Sequence, residues 1–209
     1  MSRKIVRGSI RNKEKTKQKI LRAVGKILRT KGYLELTVSK IALVAGFDKK
    51  LIYEYFGSTD NLIDEYIRMK DYWSVIDEKK IDVDLPASEK DLLELALLKQ
   101  FEGIRKNKEL QKIMLWQLSE NRPILAELYE QREEVGQGLY LNSTESNFDE
   151  KSEEYRASIA IVLAGIYHLN LSTVTKHSNF LGFDLTSEDD RRKIEKAISD
   201  ISSYAHQII

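Results

Sequence analysis

Two lysines and two tyrosines crowd one short segment of the chain, "DKKLIYEYF" at residues 48–56: Lys49, Lys50, Tyr53 and Tyr55. In a helix over this segment, Leu51, Ile52 and Phe56 can face inward while the lysines and tyrosines point outward. Ammonium groups on an outward face attract negatively charged partners such as phosphates. The segment therefore predicts a binding surface for a polyanion.

These residues belong to the second of two short helices that a tight turn joins. Thr37 is a good N-cap for the first helix, and Gly46 ends it because glycine adopts a left-handed backbone without a Cβ clash. Asp48 can cap the second helix. The first helix has one apolar stripe: Ile41, Ala42 and Ala45. The pattern predicts a helix-turn-helix, whose second helix fits the DNA major groove, about 12 Å wide.

The charge is divided unevenly along the chain. Residues 1–56 hold 15 Lys or Arg against 4 Asp or Glu, a net charge of +11, while residues 57–209 hold 19 against 29, a net charge of −10. A basic N-terminal segment followed by an acidic segment suggests a polyanion-binding domain joined to a second domain with another role. A solvated, basic first helix is the alternative explanation.

The composition of the 209 residues, 42% hydrophobic and 32% charged, indicates a soluble globular chain. No signal-peptide pattern is visible and there are no cysteines, so we expect a cytoplasmic protein without disulfides or thiolate metal sites. Residues 157–175 carry no formal charge. Tyr167, His168 and Asn170 make that stretch a poor membrane span, so we expect a buried protein helix and no membrane partner.

The apolar periodicity predicts an all-α fold, since no stretch alternates long enough to indicate a strand. The first helix runs from about residue 13 to residue 31 and ends at Gly32. Its apolar residues recur at intervals of three and four: Ile20, Leu21, Val24, Ile27 and Leu28. The later helices are predicted at about 59–80, 88–106, 108–119, 122–141, 152–176 and 188–207.

An ordered set of residues between positions 16 and 62 matches a known family: Ile20, Ala23, Gly32, Tyr33, Thr37, Val38, Ile41, Ala42, Ala45, Gly46, Tyr53, Phe56 and Leu62. The segment resembles the N-terminal domain of tetracycline-repressor (TetR) family regulators. The resemblance implies a three-helix helix-turn-helix DNA-binding domain at 1–57, with a basic arm at 1–15. It also implies a helical ligand-binding and dimerisation domain at 58–209.

The resemblance further implies a ligand-responsive transcriptional regulator, a repressor that binds a palindromic operator in double-stranded DNA as a homodimer. A small, largely apolar ligand would release it. The DNA-binding residues implied are six: Thr37, Ser39, Lys49, Lys50, Tyr53 and Tyr55. For Thr37, a plain N-cap role is compatible with a phosphate contact. For either tyrosine, packing on the first or fourth helix is the alternative.

Three positions depart from the family pattern. Lys50 replaces the usual Gly, Glu54 replaces a basic or neutral residue, and Thr59 replaces a Lys that would contact phosphate. The flexible cations of the N-terminal arm can offset a lost phosphate contact. Glu54 can instead accept a hydrogen bond from cytosine N4.

In the resembling family, the last two helices form a four-helix bundle with those of a second subunit, which implies a homodimer through helices 152–176 and 188–207. Ala160, Ala164 and Gly165 are small enough to permit close helix contact. Ser187 and Asp190 have the spacing of a capping box at the start of the final helix.

The candidate ligand-binding residues are Trp116, Tyr167 and His168, because an indole N–H, a phenol or an imidazole needs a polar partner when buried. Core packing is the alternative for each. No HExxH, GxSxG or phosphate-cradling glycine loop occurs, so we expect no enzyme activity, no cofactor and no metal site. The rival hypothesis is a helical interaction protein of the same fold that has lost operator binding, as Glu54 and Thr59 suggest.

Overall fold

The chain divides into two compact units, Met1–Asp71 and Tyr72–Ile209. The computed structural model describes residues 7–70, 89–142, 150–175 and 179–206. Nearly all of these residues lie in α-helices, which confirms the predicted all-α fold class.

The first unit is organised around its first helix. Its described elements are α1 Arg7–Lys31, a 3₁₀ turn Tyr33–Glu35, α2 Val38–Ala45, α3 Lys49–Phe56 and α4 Thr59–Arg68. The predicted apolar stripe of α1 is buried: Ile20, Leu21, Val24, Ile27 and Leu28. Helices α2 and α4 pack on α1 and bury their own apolar residues: Ile41, Leu62, Ile63 and Ile67. Because the burial of apolar surface is the main favourable term in folding, α1 is the support on which the unit is built.

Helix α1 begins at Arg7, earlier than predicted, so residues 7–15 are helical rather than part of a flexible arm. Residues 1–6 lie outside the described part of the chain. Gln18 Nε2 donates to Glu14 Oε1 at 3.1 Å, and side-chain pairs at this spacing stabilise a helix that has few apolar residues. The helix ends as predicted, because Gly32 follows it with φ of 86°.

Helices α1 and α4 approach each other closely at Gly25. A Cβ atom at this position would lie 2.0 Å from the Tyr66 hydroxyl oxygen and 2.6 Å from Tyr66 Cζ. Tyr66 is 2% exposed, so its ring cannot swing aside into solvent. The absence of a side chain at Gly25 therefore sets how near α4 comes to α1.

The described helices of the second unit are α5 Glu89–Lys106, α6 Lys108–Ser119, α7 Pro123–Asn142, α8 Glu150–Ser172 and α9 Glu188–His206. Their limits agree with the predictions to within a residue or two, except that a 3₁₀ turn at Thr173–Thr175 follows α8. The prediction of one helix over 59–80 is wrong, because α4 ends at Arg68. The Lys70 N–H there donates to the Ile67 carbonyl at 3.0 Å, a tightened last turn. Residues 71–88 lie outside the described part of the chain.

Helix α5 lies at the centre of the second unit, where it packs against α6, α7, α8 and α9. Its buried side chains include Leu97, Phe101 and Ile104. At its end, Glu102 Oε1 accepts a hydrogen bond from Arg105 Nε at 2.6 Å. That hydrogen bond holds the pKa of Glu102 at about 2.

The predicted connection "NFLGFDLTS" contains a small hairpin. Strands β1 Asn179–Phe180 and β2 Phe183–Asp184 pair antiparallel. Strands of two residues are too short for an alternating pattern, which is why the sequence did not indicate them. Leu181 and Gly182 form the tip, with φ of 49° and 84°. A left-handed backbone costs a residue such as leucine about 1–2 kcal/mol.

The predicted capping box between Ser187 and Asp190 does not form. Instead, Asp190 Oδ2 accepts the Asp184 N–H at 3.0 Å, and the Ser187 N–H donates to the Asp184 carbonyl at 2.9 Å. The carboxylate thus reaches past the helix start and holds the base of the hairpin against α9.

The substitution Gly25→Ala is expected to lower the free energy of unfolding by about 1–3 kcal/mol, as overpacking of a buried contact does. Gly136→Ala in α7 is the matched control, because no atom lies within 4 Å of a Cβ there. The control should gain about 0.5–1 kcal/mol from helix propensity. Denaturant unfolding of both variants measures the difference. An unfolding free energy for Gly25→Ala equal to or above that of the wild type contradicts the close contact.

Candidate nucleic-acid interface

The turn between α2 and α3 is built by the residues predicted to build it. The Thr37 side chain caps α2 by accepting the Lys40 N–H at 3.4 Å. The backbone turns left-handed at Gly46, where φ is 73°. Asp48 Oδ1 then caps α3 by accepting the Lys50 N–H at 2.7 Å. Both predicted N-caps and the predicted helix end are confirmed, so local interactions determine the helix-turn-helix.

The two sides of α3 have different surroundings. Ile52 is fully buried and Phe56 is 6% exposed. On the other side, Lys49 and Lys50 are exposed and Tyr53 is 48% exposed. The structure therefore places two positive charges and a phenol hydroxyl near the start of α3. Side chains near the start of a recognition helix are the ones that reach base edges in the major groove.

Tyr55 differs from the other candidates on α3. Its ring is half-buried, and Lys13 Nζ on α1 lies 5.1 Å from the ring centroid. A cation over an aromatic face is attracted by the ring quadrupole. This contact favours packing on α1, the alternative considered for the tyrosines, and a DNA contact by Tyr55 stays a prediction.

Other lysines of α1 also lie over aromatic rings of the first unit. Lys17 Nζ is 5.1 Å from the Phe56 ring centroid, and Lys19 Nζ is 5.9 Å from that of Phe47. The sequence predicted both lysines in the first helix, about residues 13–31, but indicated no ring partner for them. Their ring partners are distant in sequence, so no local spacing could have revealed the pairing.

Thr37 and Ser39 are both exposed at the start of α2. The Thr37 oxygen serves as the N-cap acceptor, and its hydroxyl hydrogen can still donate to a phosphate. The neighbouring Lys40 ammonium forms an ion pair with Glu35. Lys40 therefore adds less positive charge to this surface than its position suggests.

In the second unit, Trp116 is 3% exposed. Its Nε1–H donates to Glu120 Oε2 at 2.8 Å, and the Arg122 guanidinium lies 5.3 Å from its ring centroid. The indole thus finds within its own chain the polar partner that the sequence predicted it to need.

The hydroxyl oxygen of Tyr167 accepts a hydrogen bond from Gln100 Nε2 at 2.5 Å. Burial raises the pKa of the Tyr167 hydroxyl, so the phenol is neutral. The Arg132 guanidinium lies 5.1 Å from the Tyr167 ring centroid and 4.2 Å from that of Tyr129. One cation from α7 thus joins an aromatic ring on α7 to one on α8.

His168 lies in a third environment. Its side chain is exposed, and its ring meets the Phe180 ring edge-on at a centroid distance of 5.2 Å. It therefore belongs with the hairpin rather than with the surroundings of Trp116 or Tyr167.

A surface cleft of about 450 Å³ lies where α6 ends and α7 begins, lined by residues between Gln117 and Glu130. Its volume falls within the range of small-molecule sites, about 300–1,000 Å³. The lining includes Glu120 and Arg122, both of which contact Trp116. The sequence did not reveal the cleft because its polar lining looks like an ordinary helix connection.

Tyr129 forms an aromatic part of the same lining, and Arg132 connects it to Tyr167. Trp116 and Tyr167 are therefore not part of the cleft lining, and each is connected to it through neighbouring side chains. Their contact with a ligand stays a prediction, as does that of His168.

Comparison with known proteins agrees with this geometry. Residues 20–66, from the second half of α1 to most of α4, match the model for bacterial regulatory proteins of the TetR family. The helix-turn-helix part of the chain is therefore similar to that of TetR-family regulators. The chain is also 28% identical over 159 residues to YerO of Bacillus subtilis (strain 168), an uncharacterised HTH-type transcriptional regulator. That match takes in 73% of this chain and 53% of YerO, so the chain spans about half the length of this relative.

Solved TetR-family structures share the fold over nearly the whole chain. A TetR transcriptional regulator from Rhodococcus sp. RHA1 aligns with a TM-score of 0.54 at 12% identity, over 92% of this chain and 96% of that one. A second Rhodococcus sp. chain assigned to the family aligns with a TM-score of 0.55 at 17% identity, over 90% and 99% of the two chains. At these identities the likeness shows the fold alone.

Two further observations concern only the residues that the structure describes. No helix among them is long and apolar enough to cross a membrane. No group of three His, Cys, Asp or Glu side chains among them is arranged to hold a metal ion.

The variants Lys49→Ala and Tyr53→Phe are each expected to weaken operator binding by about 1–3 kcal/mol while the helical content stays unchanged. If Lys49 contacts a phosphate, its loss should also reduce the slope of log affinity against log salt by about one for each recognition helix bound. Lys108→Ala removes the same charge from an exposed site on α6 and is the control. Gel retardation at several salt concentrations measures both effects. Retardation unchanged in both variants would show that α3 does not read DNA.

Proposed function

We propose that this chain is a ligand-responsive transcriptional repressor. It binds a palindromic operator in double-stranded DNA as a homodimer, and a small, largely apolar ligand releases it. The observation that carries the proposal is α3, a helix capped by Asp48 that exposes Lys49, Lys50 and Tyr53 in a strongly basic segment.

The DNA-binding part of the proposal rests on charge and placement together. The cations of the first 56 residues supply the nonspecific attraction to phosphates, and α3 supplies side chains for the bases. Retardation of DNA that carries the upstream region of the protein's own gene is the direct test. A chain that retards this DNA no better than unrelated DNA, at low salt, is not an operator-binding protein.

The homodimer is supported by α8, which is apolar on two faces. One face is buried in its own unit: Tyr155, Ile159, Ile166 and Leu171. The other face is exposed although it carries no charge: Ala157, Ala160, Ile161, Ala164, Gly165 and His168. Ile161 is 73% exposed. A contiguous apolar surface of this kind marks an interaction site, and its small residues permit the close approach of another helix.

Helix α9 adds exposed apolar side chains to the same unit. Ile201 is 48% exposed and Tyr204 is 67% exposed. Two copies that pack through α8 and α9 would bury these side chains about a two-fold axis. Two DNA-binding domains related by a two-fold axis can bind the two half-sites of a palindromic operator, because the symmetry of the operator matches that of the protein.

The ligand-binding part of the proposal places the ligand in the cleft between α6 and α7. Tyr129 and Leu125 offer apolar contact there, and Glu120 and Arg122 offer polar groups. A ligand that favours the DNA-incompetent state with a coupling of about 1–3 kcal/mol changes operator affinity about five- to 150-fold. Operator DNA must then weaken ligand binding by the same factor.

A helical interaction protein without operator binding is the second candidate function. It is favoured by one observation, the exposure of Glu54 on the same helix as the two lysines, where a carboxylate repels phosphates. Glu54→Gln distinguishes the two functions. In an operator-binding protein it should change affinity or base preference, and in an interaction protein it should not confer DNA binding.

Placing Glu at both Ala160 and Ala164 is expected to yield monomers, because unpaired carboxylates in a buried interface cost several kcal/mol each. Ala126→Glu introduces the same group at an exposed site on α7 and should leave the dimer intact. Sedimentation velocity gives the oligomeric state, and circular dichroism confirms that the helices persist. An unchanged dimer in the double variant would disprove the assigned interface.

Apolar and aromatic compounds that raise the melting temperature are expected to bind more weakly when operator DNA is present, by about five- to 150-fold. Titration of each compound with and without the operator measures this. Tyr129→Ala should weaken ligand binding but leave operator affinity without ligand unchanged, since Tyr129 lines the cleft in the second unit. A compound whose affinity is equal in both titrations is not an inducer.

A further inference from the structure

The hairpin between α8 and α9 displays an apolar side chain at an unfavourable position. Leu181 and Gly182 are the two residues of its turn, and both have positive φ, 49° and 84°. Turns of this type strongly prefer Asn, Asp or Gly at both positions. Leu181 is nevertheless 86% exposed, so burial within its own chain hardly stabilises this side chain. A strained residue whose side chain lies almost wholly in solvent points to a role outside its own fold.

The base of the hairpin is well anchored, so its tip is presented in a defined direction. The Asp184 N–H donates to Asp190 Oδ2 at 3.0 Å, which ties β2 to the first turn of α9. Lys193 Nζ lies 5.9 Å from the Phe183 ring centroid. Leu185, directly after β2, is 5% exposed.

The tip also continues the exposed face of α8. Phe180, which precedes Leu181, is 40% exposed, and its ring meets the His168 ring at 5.2 Å. His168 lies on the same side of α8 as Ile161 and Ala164, at helical spacing from both. The uncharged exposed face of α8 therefore reaches the hairpin through the contact of His168 with Phe180.

A stable protein interface buries about 800 Å² on each partner. The small residues of α8 allow close approach but supply little area. The large exposed side chains supply it: Ile161, Phe180, Leu181, Ile201 and Tyr204. Two of these belong to the hairpin, so an interface that covers α8 and α9 and omits the tip would lose much of its apolar area.

We propose that the hairpin tip, Phe180 and Leu181, docks onto a second copy of this chain. The proposal rests on the proposed homodimer and adds a second contact to it. The hairpin connects the two helices of the proposed dimer face, and the contact of Phe180 with His168 places its tip beside the exposed face of α8. The two-fold axis repeats the contact, so each dimer contains two docked tips.

The test is Leu181→Asn, which removes the apolar side chain and installs the residue that this turn prefers. The folded protomer should be as stable as the wild type or more so, as measured at a concentration where the wild type is monomeric. The dimer dissociation constant should rise at least about tenfold, since two buried leucines are lost from each dimer. Leu34→Asn, the same change at a side chain 75% exposed in the first unit, should alter neither quantity. Sedimentation equilibrium over a dilution series gives the dissociation constants.

A second measurement uses the absence of cysteine from the chain. In Leu181→Cys the new thiol is the sole one. It should react slowly with an alkylating reagent at concentrations where the dimer forms and rapidly on dilution to monomer. Equal reaction rates at both concentrations would overturn the docking of the tip.

The outcomes also separate this proposal from the homodimer itself. If Leu181→Asn dimerises like the wild type while the Ala160 and Ala164 double variant is monomeric, the homodimer stands and the hairpin contact is wrong. If the wild type is monomeric at all concentrations, both proposals fall.

Discussion

An eight-residue helix does not hold its conformation in water, so α3 depends on the burial of Ile52 and Phe56. Those two side chains fix the rotation of the helix, and the rotation turns Lys49, Lys50 and Tyr53 to solvent. The long helix α1 provides the support, because its apolar stripe holds α2 and α4 on either side of α3. The surface proposed to meet DNA is therefore a consequence of how the core is packed.

The second unit keeps its two proposed roles on different elements. The cleft lies where α6 meets α7, whereas the exposed apolar residues lie on α8, α9 and the hairpin between them. Tyr167, on the same helix α8 as the exposed face, is linked by Arg132 to Tyr129 in the cleft wall. A ligand that moved Tyr129 would act on α8 through this cation, so the two proposed roles are physically connected within one unit.

Much of the fold could be predicted because its signals are local. N-cap residues, glycines at helix ends and apolar residues spaced three or four apart predicted α1 to α3 and most of the later helices. The exposure of Lys49 followed from the burial of Ile52. The features that were missed depend on partners distant in sequence or on backbone angles. The contact of Gly25 with Tyr66, the lysines over aromatic rings and the left-handed Leu181 are of this kind. The cleft was missed because a concave shape arises only when two helices meet.

The boundaries of α3 lie outside the residues that would read DNA. Asp48 begins the helix, Gly57 ends it with φ of 77°, and Ser58 caps α4 by accepting the Asn61 N–H at 3.0 Å. None of these boundary residues is among those proposed to meet a base. Lys49, Lys50, Tyr53 and Glu54 can therefore be exchanged without disturbing the signals that start and stop the helix. Such separation lets related proteins evolve new operator preferences on an unchanged scaffold, and it makes this helix a suitable place to graft the recognition residues of another DNA-binding regulator.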